Sequence, residues 1–191
     1  YELILIPRVE IRNAVPMRFG IVVTARAGSY RVPGKALRKI NGKPVIEHLL
    51  QRCFESGPNS SLFIPVILAI PGADDGHFKW LSSRTCAPMF FAGADEDPLA
   101  RLHSAGEAFG LDAVIRVCHD KVFIEPELIQ LACNTFERKN LDYLYSSQFT
   151  AGAGFEIISR QALALASAKY KNVEHVSYAI KNITTNSHNL E

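Results

Sequence analysis

Between Phe19 and Lys139 the chain alternates four times between short β-branched runs and helical patterns. The runs are "FGIVVTA", "LFIPVILAIP", "APMFFAG" and "DAVIRVCHD". Near-continuous apolar runs of this length are the mark of strands buried on both faces. The helical stretches carry their own boundaries. "PVIEHLLQRCFESG" opens on a proline, sets Val45, Ile46, Leu49, Leu50 and Cys53 on one face and closes at Gly57. "DEDPLARLHSAGEAFG" starts acidic and ends on glycine, and "EPELIQLACNTFERKN" has an early proline and late cations. The segment between the second and third strands has little periodicity. "DYLYSS" and "FEIIS" follow as further β patterns, and "RQALALASAKY" and "EHVSYAIKN" as two short helices. The alternation predicts an α/β domain with a mainly parallel sheet flanked by helices, whose ligands bind beyond the C-terminal ends of the strands. The loops after "FGIVVTA" and "DAVIRVCHD" lie there.

Composition narrows the function classes. The chain has 191 residues, about one generous domain, and 48% of them are hydrophobic, enough for a sizeable core. Its 21 basic and 19 acidic residues nearly cancel, so bulk charge gives no case for nucleic acid or an anionic membrane as partner. No apolar run is long enough to span a bilayer and no signal segment opens the chain. Cys53, Cys86, Cys118 and Cys133 form neither a CxxC pair nor a Cys/His cluster. Their spacing predicts reduced thiols in a cytoplasmic protein and rules against a zinc site. Residues 1–16, with a β-rich run closed by Pro16, are set apart as an extension of uncertain role before a domain over 17–191.

The stretch "TARAGSYRVPGKALRKINGKP" (Thr24 to Pro44) carries most of the chemistry. A Walker loop has four residues between its glycines and a Ser/Thr after its lysine. Here five residues separate Gly28 from Gly34 and Ala36 follows Lys35, so the metal-binding hydroxyl is missing. The physics of an anion cradle remains. Two glycines permit close backbone approach, and Arg26, Arg31, Lys35, Arg38, Lys39 and Lys43 are unbroken by any acid. A triphosphate is a natural partner for such a loop, a solvated basic turn its bland alternative.

The motif "ARAGSYRVPGKAL", followed by "INGKPVIEHLLQRC", resembles the N-terminal signature of sugar cytidylyltransferases, A-R-x-G-S-x-R-x-P-G-K. The likeness is to the spore-coat-polysaccharide type, related to the synthetases of CMP-activated KDO and sialic acid. It continues through "FAGADEDPLARLHSAGEAFGLDAVIRVCHD", "FIEPELIQ", "FEIISRQALALA" and "EHVSYAIKN", from Arg18 to Asn182. The resemblance implies a nucleotide-diphosphosugar-transferase-like (GT-A-like) domain, a homodimer, and Mg²⁺-dependent transfer of CMP from CTP to a sugar hydroxyl. It implies a nucleotide loop of Ala25, Arg26, Gly28, Ser29, Arg31 and Lys35, with Lys35, Arg26 and Arg31 as the catalytic cations. Asp120 matches the family's magnesium aspartate. Asp97 and Arg101, from the "DEDxLxR" segment, are substrate-side candidates, as are Glu156 and His175. Plainer roles stand beside these: a capping role for Asp120, helix N-terminal charge for Asp97, a helix start for His175, and a structural role for His119.

Four departures qualify the match. His119-Asp120-Lys121-Val122 stands where the family has a Gly-Asp-Cys-Pro-like turn, and Lys121 sets a cation beside the expected metal ligand. Gly154 replaces an aspartate, Tyr30 replaces a small hydroxyl residue, and no "V-D-T-P-E-D-L"-like element follows. Nucleotide binding is expected to survive these changes. Transfer is the activity they threaten, so a catalytically degenerate nucleotide-binding or dimerisation module is the alternative.

Overall fold

The computed structural model describes residues 4–7, 16–29, 32–56, 64–145, 148–173 and 175–186. Its main sheet has seven strands in the order β1-β8-β9-β7-β2-β5-β6. In chain order these are β1 (Ile4–Pro7), β2 (Phe19–Thr24), β5 (Val66–Pro71), β6 (Met89–Gly93), β7 (Ala113–Cys118), β8 (Leu141–Tyr145) and β9 (Glu156–Ser159). A separate two-stranded hairpin joins β3 (Lys39–Ile40) to β4 (Lys43–Pro44). The helices are α1 (Val45–Glu55), the short α2 (Asp75–Phe78), α3 (Pro98–Ala108), α4 (Pro126–Arg138), α5 (Arg160–Lys169) and α6 (Val176–Asn186).

The four alternating runs form the parallel block β6-β5-β2-β7. Beyond it the sheet turns antiparallel, with β9 on β7, β8 on β9 and β1 on β8. Residues 4–7, from the stretch set apart as an extension, thus add the edge strand next to β8. The α/β domain with a mainly parallel sheet flanked by helices, anticipated from the sequence, is present.

Both faces of the central strands are covered, which explains their unbroken apolar runs. Phe19, Ile21 and Val23 of β2 pack with Ile46, Leu49, Leu50 and Cys53 of α1 and Ile129, Cys133 and Phe136 of α4. Val22, Ile67 and Val114 face the other way, onto Leu99 and Leu102 of α3, Leu163 of α5 and Ile180 of α6. Gly20 makes one close approach possible, since a Cβ there would come within 2.5 Å of the Leu111 side chain.

The covering helices also locate the ligand side. From β2 the chain crosses over α1 to β5 on one side, whereas β7 is inserted on β2's other flank after α3 has crossed the opposite face. The loops after β2 and β7 therefore diverge at a topological switch point, where open α/β sheets hold their ligands. Among the described residues no helix is long and apolar enough to cross a membrane. All four cysteines are free, and burial pushes the Cys133 thiol up to about 12.

Candidate functional site

β2 and β7 end level, with Thr24 opposite Cys118. One further bond on each side holds the exits together: His119 N–H donates to the Thr24 carbonyl (3.1 Å) and Ala25 N–H to that of Ala69 (3.2 Å). Beyond them the two loops meet. The Lys35 ammonium donates to Asp120 Oδ2 at 2.7 Å, across 85 residues of sequence.

Local chemistry explains why Lys35 is held there. Gly34 takes a left-handed conformation (φ 65°), a turn that glycine adopts without a Cβ penalty. A single 3-10 turn, Lys35–Leu37, follows, and Ala36 at its centre is sunk in the core, directing Lys35 outward. Gly28 differs, since its φ is not in the left-handed range and a Cβ there would meet nothing within 4 Å.

The Asp120 loop is braced from two elements. Lys121 N–H closes a turn on the Cys118 carbonyl (2.9 Å), and Phe123 N–H donates to the Gly152 carbonyl (2.9 Å). Arg52 of α1 donates to the Ile124 carbonyl (2.7 Å) and pairs with Glu125 (3.1 Å). Burial works to raise the Asp120 pKa, but the hydrogen bond and charge of Lys35, helped by His119 and Lys121, hold the carboxyl below the usual range. Asp120 is therefore an anion at neutral pH. His119 is pushed down, chiefly by burial and then by Lys35 and Arg26, against the pull of Asp120. Its Nδ1 lies 3.4 Å from the Thr24 carbonyl, and its buried Nε2 has no hydrogen-bond partner.

The other candidates divide by position. Ala25 is buried and its amide is spent on the sheet; Arg26 and Gly28 are exposed and Ser29 is half-buried in the same loop. Arg31, Tyr30 and Gly57 lie outside the described residues. The described cations of the basic stretch do not converge on one point. Arg38 donates to the Pro33 carbonyl (3.2 Å), while the hairpin carries Lys39 and Lys43 away, the latter onto Gln51 (3.0 Å). These two lysines line a groove of about 640 Å³ with Glu47, His77, Trp80 and Arg84. Neither that groove nor its neighbour of about 590 Å³ is lined by Lys35 or Asp120, so strand-end chemistry rather than cavity size places the site.

Asp97 caps α3, accepting from Ala100 N–H (2.9 Å), and its second oxygen accepts from Asn172 N–H (2.9 Å) in the α5–α6 connection. Replacing Asp97 with alanine is expected to cost about 1–2 kcal/mol, a Tm loss of about 3–6 °C, with nucleotide affinity unchanged; thermal melts with and without nucleotide check this. Arg101 is buried beneath the loop after β6, donating to the carbonyls of Ala94 and Asp95, and its Nε has no partner. His175 is exposed, and its carbonyl accepts from Tyr178 and Ala179 at the start of α6.

Glu156 opens β9 opposite Arg116 of β7. Its carboxylate accepts from Arg116 Nη1 (2.6 Å) and from Tyr143 Oη (2.8 Å); Arg116 also reaches Ser177 Oγ (3.0 Å) and Cys118 Sγ (3.4 Å). Burial raises the Glu156 pKa, and the Arg116 charge together with bonds from Ser177 and Tyr143 more than offsets it, leaving the carboxyl below the usual range. Sequence reasoning missed Arg116, although a lone arginine inside the apolar run "DAVIRVC" was a visible signal.

It missed Asp74 as well. That carboxylate accepts from Ala27 N–H at 2.7 Å and ties the cradle loop to the loop after β5. For a nucleotide held by this loop, Asp74→Ala is expected to weaken binding about fivefold, the worth of one loop-ordering hydrogen bond, with little change in Tm; calorimetric titration measures it.

A magnesium ion fits this arrangement in one manner. No group of three or more His, Cys, Asp or Glu that could hold a metal exists among the described residues. A single ionised carboxylate suits a magnesium ion that arrives on a triphosphate, since Mg²⁺ takes one or two protein carboxylates beside phosphate oxygens and water.

Comparison with known proteins agrees with the fold and the motif. The chain is 32% identical over 118 residues to the 3-deoxy-manno-octulosonate cytidylyltransferase of Pseudoalteromonas atlantica, covering 60% of this chain and 43% of that protein. It is 28% identical over 144 residues to the 8-amino-3,8-dideoxy-manno-octulosonate cytidylyltransferase of Shewanella sp. (strain W3-18-1), covering 73% and 54% respectively. The chain thus spans about half the length of these curated relatives. A solved cytidylyltransferase from Leptospira borgpetersenii superposes with a TM-score of 0.75 at 20% identity, over 91% of this chain and 73% of that one. The family model for cytidylyltransferases matches residues 20–189, nearly the whole chain, and by that match the chain belongs to the cytidylyltransferase family.

Proposed function

We propose that this chain binds CTP at the ends of β2 and β7 and transfers CMP to a hydroxyl of a sugar acid, releasing pyrophosphate, with Mg²⁺ as cofactor. The observation that carries the reading is the meeting of Lys35 and Asp120 at the switch point, a cation and an anion suited to a triphosphate and its metal. Sugar acids are favoured as acceptors because the relatives above are named for them.

The hydroxyl oxygen attacks the α-phosphorus as the bond to the pyrophosphate oxygen breaks, and the hydroxyl proton passes to solvent. Such transfers depend on positioning and charge neutralisation rather than on a covalent protein intermediate. Lys35 neutralises the departing pyrophosphate, with Arg26 and Arg31 along the triphosphate. Ala25, Gly28 and Ser29 shape the loop, and Asp74 fixes it by holding the Ala27 amide. Asp120 would hold a magnesium ion, which would supply Lewis-acid stabilisation of phosphate charge. Glu156, set with Arg116 and Ser177, belongs to the acceptor side. Asp97 and His175, as an α3 cap and an α6 start, act structurally in this reading, and Arg101 supports the loop after β6. The reading includes a homodimer, supported by the family resemblance, and a reducing cytoplasmic setting, supported by four free thiols. It extends to surface-polysaccharide or glycoconjugate synthesis, supported by the same resemblance.

A second reading is a nucleotide-binding module without transfer. It is favoured by the cation of Lys121 beside Asp120. Pyrophosphate release separates the two. With 3-deoxy-manno-octulosonate or its 8-amino analogue as acceptor, the first reading expects release that requires CTP and Mg²⁺. CTP binding with no release from either acceptor would leave the module.

A further inference from the structure

We infer that Lys35 is a stand-in for the metal: in the nucleotide-free protein its ammonium occupies the place on Asp120 that a triphosphate-borne cation takes, so the site favours metal and nucleotide arriving together over either arriving alone. This rests on the reading of Asp120 as the metal carboxylate and deepens it.

The geometry points to an exchange of partners. Lys35 and Asp120 are joined at 2.7 Å, and their side chains are 26% and 40% exposed, so the pair is reachable and can open. While it is closed, the charge of Asp120 is cancelled. A bare divalent cation would then approach a carboxylate already flanked by Lys35 and by Lys121, with His119 close enough to feel both Asp120 and Lys35. No group of three or more His, Cys, Asp or Glu gathers around a cation among the described residues to compensate. A bare triphosphate fares no better, since it would need Lys35 while leaving Asp120 facing phosphate charge unpaired. The metal–triphosphate complex resolves both deficits. Its phosphate takes Lys35, its cation takes Asp120, and no charge is stranded.

The backbone is pinned at both ends, so the motion falls to a side chain. The Asp120 turn is pinned through Lys121, Phe123 and the Arg52 bond to Ile124, and the Lys35 backbone is pinned by the buried Ala36. The flexible four-carbon stem of Lys35 is therefore the moving part.

Mn²⁺, followed by the electron-spin resonance of the free ion, is the probe. Wild type, Lys35→Met, Asp120→Asn and the Lys35→Met/Asp120→Asn double variant are titrated without nucleotide, and wild type again with CTP, against a CTP-only reference that accounts for the Mn²⁺ the nucleotide itself holds. Circular dichroism and melting establish that each variant is folded. Removing one like charge a few ångströms from the metal in a half-exposed setting is worth roughly tenfold. Lys35→Met is expected to hold Mn²⁺ about tenfold more tightly than wild type, with the gain lost in the double variant. Wild type is expected to gain at least as much when CTP is present. A folded Lys35→Met that binds Mn²⁺ no better than wild type overturns the inference, and so does a gain that survives Asp120→Asn. The proposed transfer fails separately. If Lys35→Met gains Mn²⁺ but wild type binds no CTP, Lys35 still competes with the metal for Asp120, while the joint admission of metal and nucleotide falls together with the cytidylyl-transfer reading. If wild type binds CTP and Lys35→Met gains nothing, the stand-in falls and the cytidylyl-transfer reading stands.

Discussion

Replacing Lys35 with alanine is expected to weaken CTP binding in the presence of Mg²⁺ by about 10- to 100-fold, the worth of one charge-assisted hydrogen bond to phosphate. The fold should hardly notice. The Lys35–Asp120 pair is partly exposed, and such pairs contribute about 1 kcal/mol or less. The separation of these two effects is the informative part. A basic residue on a merely solvated loop would alter neither quantity, and a residue essential to the fold would lower Tm along with affinity. Arginine is not expected to rescue alanine fully, because its planar fork does not reproduce a compact ammonium lying against one carboxylate oxygen. Calorimetric titration with CTP, paired with thermal melts, reads both quantities on one preparation.

The second large effect concerns stability. Glu156→Ala leaves the Arg116 guanidinium, mostly buried between β7, β9 and α6, without its charge partner. Breaking one side of a buried pair typically costs about 3–5 kcal/mol, here a Tm loss of about 10 °C. The double variant Arg116→Met/Glu156→Leu should recover most of that loss, since the pair's net worth is far smaller than the cost of halving it. The pair also sets a pH limit. With its folded pKa depressed, Glu156 contributes stability that is fully present above the ordinary glutamate value of about 4.3 and is lost as pH falls through the folded value. Wild-type Tm should therefore fall on acidification below about pH 4.3, and Glu156→Gln should flatten that limb. A Glu156→Ala variant as stable as wild type would show that the network carries no such role.

Much of the fold could be read from the chain because the parallel block is buried on both faces and its helices carry their own stops. The hairpin β3–β4 was legible too, yet passed unread: "INGK" places Asn41 and Gly42 at φ 49° and 76°, the two positive values a tight two-residue hairpin demands. Missing it led to treating six cations as one cluster, when the hairpin turns Lys39 and Lys43 away from Lys35. The antiparallel half of the sheet was harder, since strand direction leaves no trace in periodicity. Its one sign was that no helical pattern separates "DYLYSS" from "FEIIS", whereas a parallel neighbour needs a crossover. At the site, Lys35 and Asp120 could be named from their motifs, but their mutual contact could not. Asp74 escaped because its function lies in a backbone amide 47 residues away, and side-chain-to-amide bonds across such distances leave no pattern in sequence.

The most direct test is titration of the wild-type protein with CTP, ATP, GTP and UTP, each with and without Mg²⁺, repeated on Lys35→Ala and Asp120→Ala. Selective, Mg²⁺-enhanced binding of CTP is expected, weakened in Lys35→Ala and stripped of its Mg²⁺ dependence in Asp120→Ala. Absence of nucleotide binding to wild type, or CTP binding indifferent to both substitutions, would contradict a nucleotide site at the ends of β2 and β7.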